Sequence, residues 1–352
     1  GLSGLYAALL LEELGFDVLV LEASNRIGGR LKTLDHLDGA PECGGQTIGP
    51  MYARVLKLLD RFGLSYFERK PILPGNAYYI RGKLYANASE IAAADTPLHD
   101  YEKEIPPNRL YSHYLKKVNP LESLYDWRSQ SVLAYDETSI AERFHGAGAS
   151  HEAMRLMERW FDGGGMDNMS ALFAFRKYEA ARIEKKQFRI KGGSSRLPLA
   201  MAAGLKSEPR MNSPVAAISY DDQGAKVVTE DGSSFLARHV FFSAPFSVLR
   251  NIALDPAPPQ RQSLAIEKLP YNSITQVKLA FSHPFWEADE LPPSMYADSI
   301  VERVTATPGQ DGALHYLNVW IKGVNAAEMD QYSEAEIGQR VVEEFQRLRP
   351  AA

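Results

Sequence analysis

The spacing of apolar and polar residues predicts that the chain opens with a helix followed by a strand. Residues 1–14 are good helix formers, and Gly15 follows them as a typical C-terminal stop. Residues 16–21 (FDVLVL) are a continuous apolar run, the pattern of a strand buried in a parallel sheet. Glu22 stands directly after this predicted strand.

Further elements follow from local signals along the chain. Ser139 with Glu142, and Ser333 with Glu336, have the spacing of capping boxes and predict two helix starts. A helix after Ser150 is predicted to bury one face in the core, since its apolar residues recur at helical spacing. That face consists of Ala153, Met154, Met157, Trp160 and Phe161. Residues 215–243 alternate in the way of a small antiparallel meander, so the predicted fold class is α/β, or α+β overall.

Composition narrows the class of protein. The 352 residues are 45% hydrophobic and 24% charged, which is typical of a globular protein with about two domains. The net charge of −5 argues against a general electrostatic grip on nucleic acid. One cysteine, Cys43, excludes a disulfide framework, and no metal motif is visible among the eight histidines. No apolar run is long enough to cross a bilayer.

The glycines near the start indicate nucleotide binding. Gly1 and Gly4 fit the second and third glycines of a dinucleotide-binding turn, with the first glycine and first strand expected before residue 1. The amides of residues 2–4 would then face phosphate oxygens, and Glu22 would hold ribose hydroxyls. The alternative is a helix that merely packs closely through Gly4 and Ala8.

A second glycine-rich loop favours nucleotide binding over the alternative of close helix packing. Residues 25–30 (NRIGGR) place Arg26 and Arg30 around two glycines, just past the acid. Glycines let a backbone approach a ligand, and an arginine there can neutralise phosphate charge. A plain nicotinamide dehydrogenase does not need such a loop.

At this point residues 1–33 resemble the opening of the FAD-dependent amine oxidases, which include monoamine and polyamine oxidases and their bacterial relatives. Softer blocks of similarity follow in the same order, at residues 41–50, 187–193, 213–215, 240–245 and 269–286. The resemblance implies FAD as cofactor and a Rossmann-like FAD-binding domain interleaved with a mixed sheet-plus-helix substrate domain.

The implied FAD-binding domain comprises residues 1–70 and 190–265, and its first strand and C-terminal segment are expected to be missing. The implied substrate-binding domain comprises residues 71–189 and 266–352. The expected cofactor-binding residues lie in the glycine-rich segments and beside them: Gly1, Ser3, Gly4, Glu22, Ala23, Arg26, Gly29, Arg30, Gly44, Gly45, Gln46, Thr47 and Val215.

The resemblance also implies what the protein works with. The expected partners are a small-molecule amine and oxygen or another electron acceptor, without nucleic acid or a membrane. A homodimer is compatible with the sequence. A cytoplasmic location is expected, although the beginning of the protein is taken to be missing.

One position departs from the family pattern. The active-site lysine of the family aligns with Gln276, which can hold a water but carries no charge to assist oxygen. Strand alternation places Gln276 and Lys278 on one face, so that a local slip brings Lys278 into that role. The alternative is that Lys278 is a solvated strand lysine. Dehydrogenation of an amine is therefore better supported than fast use of oxygen.

A second departure concerns the substrate. L-Amino acid oxidases of this superfamily carry Met-Arg where this chain has Gln46 and Thr47, and their arginine binds the substrate carboxylate. The difference favours an amine without an obligatory α-carboxylate. Gln46 and Thr47 are expected either to contact flavin or substrate, or to make hydrogen bonds within a turn. Cys43 is expected to be a small packed thiol rather than a nucleophile.

Two other functions remain open. The first is a related flavin enzyme with a large apolar substrate, such as a protoporphyrinogen oxidase or a carotenoid desaturase. The second is a flavin-binding paralogue without turnover, which the missing lysine match keeps in view.

Overall fold

The computed structural model describes residues 1–352, which form two compact units. The first unit consists of Gly1–Arg69 and Gln187–Tyr271, and the second of Lys70–Lys186 and Asn272–Ala352. Each unit is therefore built from two stretches of chain. Both units contain helices and sheets of mixed strand direction, so the predicted α/β class is confirmed.

The elements of the first unit are as follows, numbered along the whole chain. Its helices are α1 (Leu2–Glu13), α2 (Ala53–Arg61), α10 (Arg196–Ala203), α11 (Phe246–Leu249) and α12 (Gln260–Lys268), and its strands are β1 (Tyr66–Glu68), β4 (Phe188–Ile190), β5 (Val215–Tyr220), β6 (Ala225–Thr229), β7 (Ser234–Ala237) and β8 (Ala253–Asp255).

The second unit contains the remaining elements. Its helices are α3 (Ala88–Ala92), α4 (Asp100–Lys103), α5 (Leu110–Val118), α6 (Gln130–Leu133), α7 (Ile140–Gly146), α8 (His151–Arg159), α9 (Ala171–Ile183), α13 (Phe285–Ala288), α14 (Gly323–Met329) and α15 (Glu334–Leu348), and its strands are β2 (Ala77–Ile80), β3 (Lys83–Tyr85), β9 (Ile274–Leu279), β10 (Met295–Ala297), β11 (Arg303–Ala306) and β12 (Leu317–Lys322). No helix combines the length and the apolar composition that crossing a bilayer requires.

The first unit has a small core in which α1, α2 and α10 meet the pair β1–β4. Leu5, Leu9, Leu59, Ile190 and Met201 are all buried there. A separate four-stranded sheet has the order β7-β6-β5-β8, in which only β5 and β8 run parallel. The predicted antiparallel meander is confirmed by β5, β6 and β7.

The predicted strand at residues 16–21 is wrong. Only Leu21 forms a bridge, parallel to Arg210, and the chain before it is extended without regular pairing. Hydrogen bonds to residues 210–213 occupy one edge of this segment, while Phe16 and Leu19 are about half exposed. An apolar run predicts burial, but a strand needs a neighbour that pairs with it along its length, and here the pairing with Arg210 is limited to the end of the run.

The predicted meander extends less far than expected, because its last strand ends at Ala237 and it does not include residues 240–243. These residues form no regular structure, and Phe241 is 63% exposed. The cause is again the absence of a pairing partner in the described chain rather than an unsuitable composition.

The second unit is organised by a six-stranded sheet with the order β3-β2-β10-β11-β12-β9. Since side chains alternate along a strand, the sheet has two distinct faces. One face is apolar and contacts α13, α14 and α15, with Val277, Val319 and Phe345 among its members. The other face is polar and aromatic along its last three strands; it carries Gln276, Lys278, Arg303, Thr305, Asn318, Trp320 and Lys322.

The predicted helix starts of the second unit are confirmed. Ser139 with Glu142, and Ser333 with Glu336, form complete capping boxes at the starts of α7 and α15. Ser150 caps α8, and Ala153, Met157 and the following Trp160 are buried as predicted.

A buried arginine fixes the end of α15, the helix that covers the apolar face of the sheet. The Arg349 side chain is fully buried, and its Nε and Nη2 atoms donate to the two carboxylate oxygens of Asp289, at 2.7 and 2.9 Å. Its Nη1 atom donates to the carbonyl oxygen of Pro292 at 3.0 Å.

We predict that Arg349→Met destabilises the protein by about 3 kcal/mol, because it leaves a largely buried carboxylate without its partner. Arg347→Met is the matched control, since Arg347 is about half exposed and pairs with Glu344 one turn away. The loss of unfolding free energy in Arg347→Met is expected to stay within about 1 kcal/mol. Urea unfolding of the two variants checks this, and equal losses of unfolding free energy would contradict it.

Candidate functional site

The N-terminus of α1 presents backbone N–H groups that no side chain satisfies. Gly1 occupies the N-cap position, and the helix has no side-chain cap. Unpaired amides and the helix dipole make such an end favourable for a phosphate. The Glu22 carboxylate lies close by, with Oε2 at 3.7 Å from the nitrogen of Gly1. Its Oε1 accepts hydrogen bonds from the backbone N–H and hydroxyl of Ser24, at 3.0 and 2.9 Å, which fixes the carboxylate.

Two glycines of this region are required by close packing. A Cβ atom on Gly4 would lie 2.6 Å from Oγ of Ser243, so the helix touches the 243 segment directly. A Cβ atom on Gly29 would lie 3.0 Å from Cα of Gly1, and the backbone of Gly29 has φ +57°. The second glycine-rich loop therefore lies against the start of α1.

The two arginines of that loop differ in their environment. Arg26 donates from Nη2 to the carbonyl of Gly29 at 2.5 Å and from Nη1 to that of Leu31 at 3.0 Å. Its guanidinium thus closes the loop on itself and shapes the glycine turn. Arg30 is exposed and makes no side-chain hydrogen bond or ion pair, so its charge is available to a ligand.

The next glycine pair lies against the same loop. The N–H of Gly45 donates to the carbonyl oxygen of Arg30 at 3.1 Å. A Cβ atom on Gly44 would collide with that same carbonyl oxygen, and one on Gly45 would lie 2.7 Å from the side chain of Leu31. Only glycine allows the two backbones to approach so closely.

The buried carboxylate of Glu42 joins this pair to a third glycine-bearing segment. Glu42 is 5% exposed; it accepts from the N–H of Ser194 at 2.6 Å and from the hydroxyl of Thr33 at 2.9 Å. Thr33 and Ser195 exchange two further hydrogen bonds, at 2.8 and 3.0 Å. Burial raises the pKa of the Glu42 carboxyl above the ordinary glutamate value, and the bonds from Ser194 and Thr33 oppose that shift.

Gln46 is held by an arginine that sequence reasoning did not single out. Nη2 of Arg189, on β4, donates to Oε1 of Gln46 at 2.7 Å. The buried Nε of Arg189 has no hydrogen-bond partner in residues 1–352. Thr47 makes no side-chain hydrogen bond, and Cys43 is a half-buried free thiol beside the glycines.

Val215 lies at the start of β5, next to a segment that contacts Glu22. The N–H of Ser213, two residues earlier, donates to the backbone carbonyl of Glu22 at 2.9 Å. The structure therefore brings the Val215 region and the acid together. Ser3 and Ala23 are exposed beside them.

In the second unit, Gln276 and Lys278 lie on one face of β9 and contact each other. Nζ of Lys278 donates to Oε1 of Gln276 at 2.9 Å and to Oδ1 of Asn318, on β12, at 2.7 Å. Lys278 is half-buried and donates two side-chain hydrogen bonds, which argues against a fully solvated strand lysine. The same-face prediction is confirmed, and Gln276 and Asn318 both accept hydrogen bonds from the Lys278 ammonium without any slip in the strand.

Sequence reasoning missed several residues of these sites. They are Thr33, Glu42, Arg189, Ser194, Ser195 and Asn318. Glu42 left a signal, because it is an acid inside an apolar and glycine-rich block. Asn318 left none, since its contact depends on the register between β9 and β12.

Taken together, the uncapped helix end, the acid and the glycine-rich loops define a nucleotide-binding α/β protein. The model of one family, the flavin containing amine oxidoreductases, matches residues 2–352, and the chain belongs to this family. The family's cofactor is a flavin, expected as FAD. The residues present fit it, because the free amides of α1 suit a pyrophosphate and the exposed side of Glu22 suits ribose hydroxyls.

Similar proteins are found among curated sequences. The chain is 22% identical over 301 residues to a probable flavin-containing monoamine oxidase A of Dictyostelium discoideum, covering 82% of this chain and 65% of that protein. It is 26% identical over 302 residues to an L-amino-acid oxidase of Naja atra, covering 82% and 58%. The chain thus spans about three fifths of the length of these relatives.

Solved structures share the fold. A putrescine oxidase bound to putrescine matches with a TM-score of 0.74 and 24% identity, over 99% of this chain and 80% of that one. Cyclohexylamine oxidase from Brevibacterium oxydans IH-35A matches with a TM-score of 0.76 and 21% identity, over 99% and 79%.

We predict that Gly44→Ala costs about 1–3 kcal/mol of unfolding free energy and lowers FAD affinity, because the new methyl group forces the backbone of Arg30 to move. Gly338→Ala is the matched control. Gly338 lies inside α15 with open space around it, so alanine is expected to raise the free energy of unfolding by up to about 1 kcal/mol. Thermal unfolding and a flavin titration measure both effects. Unchanged FAD affinity in Gly44→Ala would count against the close approach of these loops.

A second prediction concerns the pH dependence of stability. The pKa of Glu42 is raised on folding, so the folded protein binds more protons than the unfolded chain just above the ordinary glutamate range. This contribution to stability is present at low pH and is lost as the pH rises through the raised pKa. The stability advantage of the wild type over Glu42→Gln should therefore shrink with rising pH.

Urea unfolding of the wild type and Glu42→Gln, at a series of pH values from about 4 upward, measures this difference. Glu90→Gln serves as the control, because the Glu90 carboxylate is exposed near the start of α3. A wild-type advantage that grows with pH would contradict the raised pKa.

Proposed function

We propose that this protein oxidises an amine to an imine with FAD as the electron acceptor. The observation that carries this proposal is the family match across residues 2–352. It is supported by the flavin-compatible helix end and glycine loops of the first unit. A bound flavin supplies an acceptor for the hydride that leaves the carbon beside the amine nitrogen.

The chain's own residues supply binding and polarity. The amides of residues 2–4 would bind the pyrophosphate of the flavin cofactor, Glu22 would accept hydrogen bonds from ribose hydroxyls, and Arg30 would offset phosphate charge. Arg26 and Glu42 keep the glycine loops in the shape that lets a ligand lie against the backbone. Gln276 and Lys278 are the candidate catalytic pair, with an ammonium and an amide that can orient a water or stabilise negative charge.

The overall reaction balances with oxygen as the final acceptor. The amine loses a hydride from carbon and a proton from nitrogen, and oxygen takes up two electrons and two protons to give hydrogen peroxide. Another two-electron acceptor can replace oxygen. The charge that Gln276 lacks is present on Lys278, which supports the use of oxygen more than the sequence alone does.

The similar proteins suggest which amines to try. Their names include monoamine, putrescine, cyclohexylamine and L-amino-acid oxidases. The Gln46–Thr47 sequence in place of Met-Arg favours amines without a carboxylate. We therefore expect primary monoamines to react better than L-amino acids.

Anaerobic addition of amines to the flavin-loaded protein tests the proposal. The panel is benzylamine, cyclohexylamine, putrescine and L-leucine. At least one monoamine is expected to bleach the flavin absorption, and air should restore it with formation of hydrogen peroxide. A flavin spectrum that no amine bleaches would reject amine oxidation in favour of a non-amine substrate or a protein without turnover.

We predict that Lys278→Met lowers kcat by roughly ten- to hundredfold, because it removes the charge beside Gln276. Lys226→Met is the matched control, a strand lysine that is exposed on β6. It should leave kcat within a factor of about two, as expected for a surface substitution. Steady-state assays with the best amine compare the two, and equal kcat values in both variants would remove Lys278 from the catalytic pair.

A further inference from the structure

Lys278 joins two amide side chains on neighbouring strands. In the antiparallel pair β9–β12, Lys278 lies opposite Asn318 and Gln276 lies opposite Trp320. The ammonium bonds sideways to Asn318 at 2.7 Å and along its own strand to Gln276 at 2.9 Å. Asn318 is only 7% exposed, so its half of the contact is shielded from water.

The ammonium determines how both amides point. An ammonium has three N–H donors and no acceptor, so the side-chain oxygens of Gln276 and Asn318 must face it. Their NH2 groups then point away from Nζ. The end of Gln276 that points away from Nζ is therefore a donor, and a positive charge lies at hydrogen-bond distance from its oxygen.

The lysine side chain needs more than one acceptor to stay in this position. Its four-carbon stem is flexible, and the ammonium is a compact charge that water competes for. The shorter of the two bonds is the one to Asn318, and Asn318 is the more buried of the two amide acceptors. The ring of Tyr316 also lies near the ammonium, with its centroid 5.8 Å from Nζ.

We infer that Asn318 is a positioning residue for the oxygen-dependent half of the reaction. It holds the Lys278 ammonium against Gln276, so that the Gln276 amide donates to the electron-rich oxygen that forms as oxygen gains two electrons and two protons to become hydrogen peroxide. This inference rests on the proposed function, because it assigns Gln276 and Lys278 to the same reaction. Asn318 acts only through them.

Two variants and one control separate positioning from general damage. Asn318→Leu keeps the shape of the side chain but removes the acceptor, whereas Asn318→Asp keeps an acceptor for the ammonium. Thr305→Val is the control. Thr305 lies on the same face and donates only to the backbone carbonyl of Asn318, at 3.4 Å.

The first measurement needs neither amine nor turnover. Reductive methylation of the flavin-loaded protein, followed by peptide mass spectrometry, gives the labelling rate of Lys278 relative to the other lysines. We expect Asn318→Leu to raise this rate several-fold, and Asn318→Asp and Thr305→Val to leave it near the wild-type value. An unchanged rate in Asn318→Leu would overturn the inference.

The second measurement isolates the reaction with oxygen. The bound flavin is reduced photochemically without amine and then mixed with oxygenated buffer in a stopped-flow instrument. Asn318→Leu should reoxidise roughly tenfold more slowly, while Asn318→Asp recovers most of the rate. Normal reoxidation in Asn318→Leu would overturn the positioning role, even if the labelling rate of Lys278 rises.

The two proposals fail in different experiments. Amine oxidation fails if no amine bleaches the flavin of the wild type anaerobically. The positioning role fails if photoreduced Asn318→Leu reacts with oxygen like the wild type. Anaerobic reduction of Asn318→Leu by the best amine is expected at the wild-type rate, within a factor of about two, and a tenfold loss in that step would overturn the assignment to the oxygen reaction.

Discussion

The arrangement of the first unit depends on one carboxylate that water hardly reaches. Glu42 accepts from Thr33 and from the backbone of Ser194, and so ties two stretches of chain that lie more than 150 residues apart. Around it, glycine backbones approach one another more closely than any side chain permits. Burying a carboxylate costs free energy. The hydrogen bonds of Glu42 offset that cost only while the segments that carry Thr33, Glu42 and Ser194 stay in place. The geometry offered to a nucleotide is therefore set by a residue without an evident role in binding it.

In the second unit, the sheet carries polar groups on one face and borders a hydrophobic core on the other. Strand alternation produces these two faces, because every second residue of β9, β11 and β12 contacts the helices while the others form the polar face. Apolar packing of α15 fixes the register, and the register places Asn318 beside Lys278. Core packing on one side thus determines hydrogen-bond geometry on the other.

The sequence predicted local elements well where the signal was itself local. The capping boxes at Ser139 and Ser333 identify their helices correctly, because a cap involves residues three positions apart. The apolar run at residues 16–21 was misassigned as a strand, and residues 240–243 were wrongly included in the meander. A strand exists only with a partner, and composition alone does not reveal whether the partner is present.

The candidate site shows the same division between local and distant information. Glycine spacing and the acid at position 22 could be read from the chain, and so could the shared face of Gln276 and Lys278. The supporting contacts of Glu42 with Ser194, and of Lys278 with Asn318, join residues 152 and 40 positions apart. No pattern in one sequence links such pairs, because the link is made by sheet register and burial rather than by spacing.

The pair at positions 276 and 278 bears on our proposal that a charge beside a position serves in place of a charge on it. Without a charged neighbour, Gln276 would be a neutral, flexible amide whose oxygen and NH2 group could exchange positions by rotation. With an ammonium at 2.9 Å from its oxygen, only one orientation is favourable, and its N–H bonds become more strongly polarised. A glutamine in this setting is an oriented donor that carries part of the effect of a neighbouring charge. Under the proposed function, glutamine at the position of the family's lysine is compatible with retained chemistry, because Lys278 and its acceptor Asn318 lie within hydrogen-bond reach.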